Sequence, residues 1–240
     1  DRLRSRGLGD VYKRQDMKGK YMIQRVYEQV KTVLDDVYVA TDDDRILQAV
    51  RSFGGNAVLT SDKHKSGTDR CNEAYRTIGG GQDVVINIQG DEPFIKPEQI
   101  RAIMQCFDTP DTQIATLVRA FHSDETWNDL VNPNSPKVIL NERNEAVYFS
   151  RSVIPYLRNY PTDEWLSRHT YYKHIGMYAY RADILDCLTR LPQSSLEIAE
   201  SLEQLRWLQN GYTVKVGITT QETIGIDTPE DLEKALTLLP

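Results

Sequence analysis

The stretch that most constrains this chain is Val84-Val85-Ile86-Asn87-Ile88, followed at once by Gln89-Gly90-Asp91-Glu92-Pro93. A run that is apolar on both side-chain faces suits a strand buried on both faces in the middle of a parallel sheet, because a half-solvated strand would alternate. Gly90 permits backbone angles that other residues resist, and Pro93 cannot extend a ladder, so Asp91 and Glu92 fall just past the carboxyl end of that strand. In an open α/β sheet this is where ligands bind. Two acids beside a glycine suit a hard cation carrying a phosphate. The same residues also make an ordinary strand-to-helix turn, and the spacing alone does not choose between the two.

The surrounding chain alternates strands and helices, as a βαβα pattern requires. Met22, Ile23, Val26, Val30 and Val33 keep helical spacing, and a strand is expected over 37–40. A helix over 44–53 ends at Gly54-Gly55, a short strand follows over 57–59, and a helix over 69–78 leads through Gly79–Gly81 into the central strand. A helix over 97–107 and a strand over 114–118 come next. After His122 the pattern changes, with a hairpin over 137–150, a strand over 174–180 and one amphipathic helix over 194–209. The last strand spans 214–218, and Thr228-Pro229 opens the last helix. The chain thus reads as α/β, a single domain over 16–240 with a substrate-side insertion over about 120–195.

The net charge of −6 does not suggest a nucleic-acid partner. Cys71, Cys106 and Cys187 are odd in number, far apart and without a C-x-x-C pair, and read as buried thiols in a reducing compartment. No apolar run approaches the roughly eighteen residues of a membrane helix, and no secretory signal is visible. The first fifteen residues hold five basic side chains, two glycines and no apolar periodicity, and read as a segment unrelated to the rest.

Two further polar clusters accompany the first. Ser66-Gly67-Thr68-Asp69-Arg70 places a small-residue loop at a helix start, with a guanidinium next to free N–H groups. That suits an anion or the edge of a nucleotide, although a plain helix cap would look the same. Gly225-Ile226-Asp227-Thr228-Pro229-Glu230-Asp231 sets Asp227 between a strand and a helix start, with its carboxylate free to bind a metal or to act within a cap cluster.

Taken together, these clusters, with Asn132-Pro133-Asn134 and Tyr148-Phe149-Ser150-Arg151, closely resemble the 3-deoxy-manno-octulosonate cytidylyltransferases, from about Asp16 to the C-terminus. The resemblance implies a Rossmann-like nucleotide-diphospho-sugar transferase fold, with a mostly parallel central sheet and a smaller substrate-side or dimerisation insertion. It further implies transfer of CMP from CTP to 3-deoxy-manno-octulosonate (Kdo), releasing pyrophosphate, in the service of lipopolysaccharide synthesis. By the same resemblance Asp91 and Asp227 are catalytic and hold Mg²⁺, while Ser66, Thr68 and Arg70 contact the nucleotide. Gln89, Arg151, His174, Tyr178, Glu203 and Gln204 surround the sugar, and the protein is a cytoplasmic homodimer that engages neither nucleic acid nor membrane. His64, His122 and His169 are left as surface residues.

The family opens with a buried strand running into a triphosphate loop of the form P-A-R-x-x-S-x-R-x-P-G-K-P-L, and neither is found in this sequence. Lys18-Gly19-Lys20-Tyr21-Met22-Ile23 matches only the segment after that loop, and the first helix lacks the strand a βαβ unit needs. The chain as written is therefore expected to have little turnover and a frayed sheet. Rival readings are a cytidylyltransferase for a sialic acid or amino-Kdo, and an inactive nucleotide-binding fragment. A nicotinamide oxidoreductase would show G-x-G-x-x-G between strand and helix, whereas Gly79–Gly81 precedes a strand.

Overall fold

A computed structural model describes residues 17–122, 124–221, 226 and 229–238. The chain divides into two compact units, Asp1–Arg101 with Thr223–Pro240, and Ala102–Glu222.

The first unit begins with α1 (Met22–Lys31), which buries Met22, Ile23, Val26, Tyr27 and Val30 along one stripe. Strands β1 (Val39–Thr41) and β2 (Ala57–Leu59) pair in parallel through the crossover helix α2 (Asp44–Ser52). The Asp43 carboxylate caps α2 by accepting the Arg45 N–H at 2.7 Å. Ile23, Ile46 and Val50 form a buried cluster with Val39, Phe53 and Ala57, so α1 and α2 cover this strand pair. Helix α3 (Gly67–Thr77) leads to β3 (Val84–Asn87), and α4 (Pro97–Gln105) spans the boundary between the units in sequence. The last helix, α10 (Pro229–Leu238), contributes Leu232 and Ala235 to a second cluster with Met17, Met22 and Ile226.

The second unit contains β4 (Ile114–Ala120), α5 (Trp127–Val131), the hairpin β5 (Lys137–Leu140) and β6 (Ala146–Ser150), α6 (Trp165–Arg168), β7 (Tyr172–Arg181), α7 (Ala182–Thr189), α8 (Ser195–Glu200), α9 (Gln204–Gln209) and β8 (Val214–Ile218). Its strands lie in the order β6-β5-β7-β4-β8. The β4–β8 pair is parallel, and the β4–β7, β5–β6 and β5–β7 pairs are antiparallel. β4 is buried along nearly its whole length, which makes it the spine of the unit.

Four expectations are corrected. Val84, Val85 and Ile86 are only half-buried, because a cavity lies alongside β3. The single helix expected over 194–209 is two helices, since Ser201 adopts the left-handed conformation (φ 53°) and interrupts the ladder. Of the three thiols only Cys106 is buried; Cys71 is half-buried and Cys187 is exposed. His64 is not a free surface residue, because its Nε2 meets the Glu73 carboxylate. Thr228, expected to cap the last helix, lies outside the described residues.

Candidate active site

Within the first unit, the polar residues gather at the carboxyl ends of β1 and β3. Ser66 Oγ accepts the Asp69 N–H at 3.2 Å and so fixes the start of α3. Gly67 at that start leaves little room for a side chain: an added Cβ would lie 3.1 Å from Asn87 Nδ2 and 3.7 Å from Gln89 Nε2. That close approach brings the Ser66–Arg70 loop against the end of β3. Arg70 Nη2 donates to Asp42 Oδ2 at 2.9 Å and Nη1 to Thr60 Oγ1 at 2.6 Å, which orients the guanidinium from two strand ends. The preceding loop is anchored by Glu73, which accepts the Ser61 N–H at 3.0 Å. That bond first, and the His64 contact second, hold the Glu73 carboxyl below its ordinary range.

Ser66, Arg70, Gln89 and Asp91 all line one cavity of about 960 Å³, together with Asp42 and Lys65. Thr68 is buried and stands apart from the cavity lining, packed into the unit. Asp227 lies outside the described residues, but its predecessor does not. Ile226 N–H donates to the Asp91 carbonyl at 3.0 Å, tying the chain just ahead of Asp227 to Asp91. Asp91, with Asp42 in the same cavity lining, offers carboxylate oxygens of the kind a hard divalent cation takes, which fits Mg²⁺.

The second unit holds the other predicted residues. His174 and Tyr178 lie on β7 opposite Val118 and Thr116 of β4, flanking a register shift that leaves Gly176 and Met177 without partners on β4. His174 Nε2 and Thr116 Oγ1 are 2.9 Å apart, and Thr116 Oγ1 donates to the Met177 carbonyl at 2.8 Å, so Nε2 carries the proton and donates to the threonine. Burial pushes the His174 pKa down to about 3, leaving a neutral imidazole. Its ring meets Phe149 at 5.3 Å and Tyr178 at 5.3 Å.

Burial, followed by the neighbouring Tyr180 and Glu203, raises the Tyr178 pKa well above the ordinary phenol. Thr116 is close to the Tyr178 hydroxyl, yet no hydrogen bond of good geometry satisfies it. Gln204 Nε2 and Trp207 Nε1 are likewise buried without a partner. Trp207 packs edge-on to Tyr178 at 5.0 Å, and it stands one turn beyond Gln204 on α9. Such orphaned donors are costly unless a polar ligand or water meets them.

Arg151 works differently from the free guanidinium that its motif suggests. Its Nε donates to the Glu200 carbonyl at 2.7 Å, Nη1 to the Pro133 carbonyl at 2.7 Å and Nη2 to the Ser201 carbonyl at 3.3 Å. It thereby clamps the Asn132-Pro133-Asn134 turn to the α8–α9 break, which places Glu203 and Gln204. Lys137 sits behind it, fully buried, donating to the Arg151 and Asn132 carbonyls at 2.8 and 3.0 Å. Burial first, then the Arg151 cation, lowers the Lys137 pKa to about 8, with Glu200 acting in the opposite sense.

The sequence matches the cytidylyltransferase family over residues 6–235. A 3-deoxy-manno-octulosonate cytidylyltransferase of Parabacteroides distasonis is 68% identical over 225 residues, covering 93% of this chain and 90% of that protein. The chain belongs to the 3-deoxy-manno-octulosonate cytidylyltransferases. The Escherichia coli member is 43% identical over 93% of this chain and 87% of its own length. Among solved structures, a CMP:2-keto-3-deoxy-manno-octonic acid synthetase complexed with CTP superposes with a TM-score of 0.86 at 42% identity, over 95% of this chain and 90% of that one. In this cytidylyltransferase, sequence reasoning missed Asp42 and Trp207. Asp42 follows β1 as Asp91 follows β3 and was open to the same strand-end rule. Trp207 carries no sequence signal, because its indole N–H is orphaned only by the packing of β7 against α9.

Proposed function

We propose that this chain transfers CMP from CTP to Kdo, giving CMP-Kdo and pyrophosphate. The observation that carries the reading is the convergence of Ser66, Arg70, Gln89 and Asp91 on one cavity, in a chain with this family membership. The anomeric hydroxyl oxygen of Kdo attacks the α-phosphorus in line. One O–P bond forms, the bond to the pyrophosphate oxygen breaks, and the hydroxyl proton is released to solvent.

Arg70, held by Asp42 and Thr60, presents a fixed cation to the nucleotide, and Ser66 and Thr68 shape the loop around it. Asp91 and Asp227 would hold Mg²⁺, which would supply charge neutralisation for the phosphates. Kdo is an acid with many hydroxyls. The N–H groups of Arg151 that are not committed to carbonyls meet its carboxylate, and Glu203, Gln204, Tyr178 and neutral His174 meet its hydroxyls. Because His174 stays unprotonated through the physiological range, it orients the sugar and takes no proton in the reaction. The protein works in the cytoplasm as a homodimer.

The test is pyrophosphate release from CTP and Mg²⁺ with Kdo, amino-Kdo and a sialic acid as competing acceptors. Preference for Kdo supports the reading; preference for either rival sugar moves the chain to that rival.

A further inference from the structure

Lys137 has no exposed surface, a place that a lysine seldom takes unless its charge is answered. It stands in register with Lys173 on β7, and Lys173 with Arg119 on β4, so three cations share one face of the sheet on adjacent strands. Like charges set directly opposite one another destabilise a sheet, so each needs its own answer. Arg119 has one in Glu125, at 2.8 and 2.9 Å, and Lys173 bears electrostatically on Glu125 and Asp129. Lys137 is different. Its Nζ donates to the main-chain carbonyls of Asn132 and Arg151, and the carboxylate that bears on it, Glu200, accepts from Ser150 Oγ at 2.6 Å and from the Arg151 N–H at 2.9 Å. Arg151 is thus gripped at both of its peptide groups, its N–H by Glu200 and its carbonyl by Lys137, while its guanidinium spans the Pro133 turn and the α8–α9 break. Two cations share one carboxylate. One positive charge is left over, beside the guanidinium to which the acidic sugar is assigned.

We propose that Lys137 is a positioning residue for the acidic acceptor: its buried ammonium fixes the Arg151 main chain and the Asn132-Pro133-Asn134 turn, and its charge is fully answered only when the acceptor's carboxylate reaches the Arg151 guanidinium. The proposal rests on the reading of Arg151 given above and adds a linkage to it, because a bound anion and the ammonium proton stabilise each other. Burial first, and then the Arg151 cation, bring the Lys137 pKa to about 8, so the unliganded chain loses this proton at mildly alkaline pH. A carboxylate bound at Arg151 holds it. Kdo affinity is therefore full below about pH 7 and falls as the pH rises through 8. The neighbouring groups do not give this profile. His174 is already neutral above about pH 3, burial and then Glu200 raise Tyr148 above the ordinary phenol, and the guanidiniums of Arg119 and Arg151 keep their charge.

The experiment is titration calorimetry of the 240-residue chain with Kdo, a sialic acid and CTP between pH 7 and 9, alongside Lys137→Met and Glu200→Gln, with amide exchange of Arg151 followed in the unliganded proteins. The parent should lose Kdo affinity about five- to tenfold across that range, the fall that a single linked proton allows. Lys137→Met should bind Kdo about tenfold more weakly at pH 7, show no further fall up to pH 9, and exchange the Arg151 amide faster than the parent. Glu200→Gln removes the carboxylate that favours the ammonium, so it should move the fall to lower pH by about half a unit or more. If Lys137→Met does not fold, the shift in Glu200→Gln decides. The proposal is overturned by a pH-dependent fall that persists in Lys137→Met, by an unshifted profile in Glu200→Gln, by an Arg151 amide that exchanges as in the parent, or by equal loss of Kdo and CTP affinity. A parent that binds Kdo equally well at pH 7 and 9 overturns the proposal and leaves the Kdo reading standing. A parent that prefers the sialic acid, with the same fall, overturns the Kdo reading and supports the role of Lys137; binding of neither acid overturns both.

Discussion

Replacing Tyr178 with Phe separates what the sugar site costs the fold from what it gives the substrate. The phenol ring is held by contacts with His174 at 5.3 Å and Trp207 at 5.0 Å, and phenylalanine keeps both. The hydroxyl is buried with no hydrogen bond of good geometry. An unsatisfied buried polar group costs about 1 to 3 kcal/mol, and the nearby Thr116 places this one at the low end. Tyr178→Phe should therefore stabilise the unliganded protein by about 1 kcal/mol, an increase of roughly 2 to 4 °C in unfolding temperature for a chain of this size. If Kdo supplies the missing partner, the same change should weaken Kdo binding by about 0.5 to 1.5 kcal/mol, or roughly two- to thirteenfold in Kd, and leave CTP binding alone. Scanning calorimetry measures the first effect and titration calorimetry the second. A variant that melts at least about 2 °C lower while binding Kdo normally would refute the reasoning, since the hydroxyl would then be satisfied within the protein and irrelevant to the sugar.

Glu197 accepts 2.8 and 2.7 Å hydrogen bonds from Arg206, and both side chains are almost wholly buried. Glu197→Ala removes two buried hydrogen bonds and the nearest counter-charge from that guanidinium and should cost about 3 to 5 kcal/mol in urea unfolding, most of it recovered when Arg206→Met is added; a cost under about 1 kcal/mol would contradict this. His174 is neutral in the fold down to about pH 3, whereas an unfolded histidine titrates near 6.5. Between those values the unfolded chain binds the extra proton, so stability is full above about pH 6.5 and falls on acidification, by about 2 kcal/mol at pH 5. His174→Gln should remove that slope, and an unchanged difference between pH 7.5 and pH 5 would exclude the assignment. Arg151→Ala should weaken Kdo binding by about one to two decades and CTP binding far less. A weaker CTP complex with normal Kdo binding would put Arg151 on the wrong substrate.

The parts of the fold that repeat a simple period are legible in the sequence. The stripe of α1, the parallel pair around α2 and the strand-end position of Asp91 follow from spacing, glycine and proline alone. The features that escape depend on contacts between distant segments. The break at Ser201 interrupts an amphipathic run that continues through it, and it is stabilised by an Arg151 bond that no local pattern announces. The charge of Arg151 suggests a substrate cation, but most of its bonds go to backbone carbonyls brought near by the turn at Pro133. The half-burial of Val84–Ile86 is hidden for a related reason: an apolar run shows what a strand can bury, and the neighbouring cavity decides what it does bury. Trp207 carries no motif, and its indole N–H stands out only because the fold leaves it buried and unmet beside the Tyr178 hydroxyl.

The central claim is that CMP is transferred at a site built on Asp91. It is tested most directly by pyrophosphate release with CTP, Kdo and Mg²⁺, measured for the chain with the family's strand-and-loop segment fused ahead of Asp16 and for its Asp91→Asn variant. The account predicts release that requires both substrates and falls at least about a hundredfold in the variant, with an unchanged circular dichroism spectrum. Turnover in Asp91→Asn close to that of the parent, at saturating Mg²⁺, would contradict it.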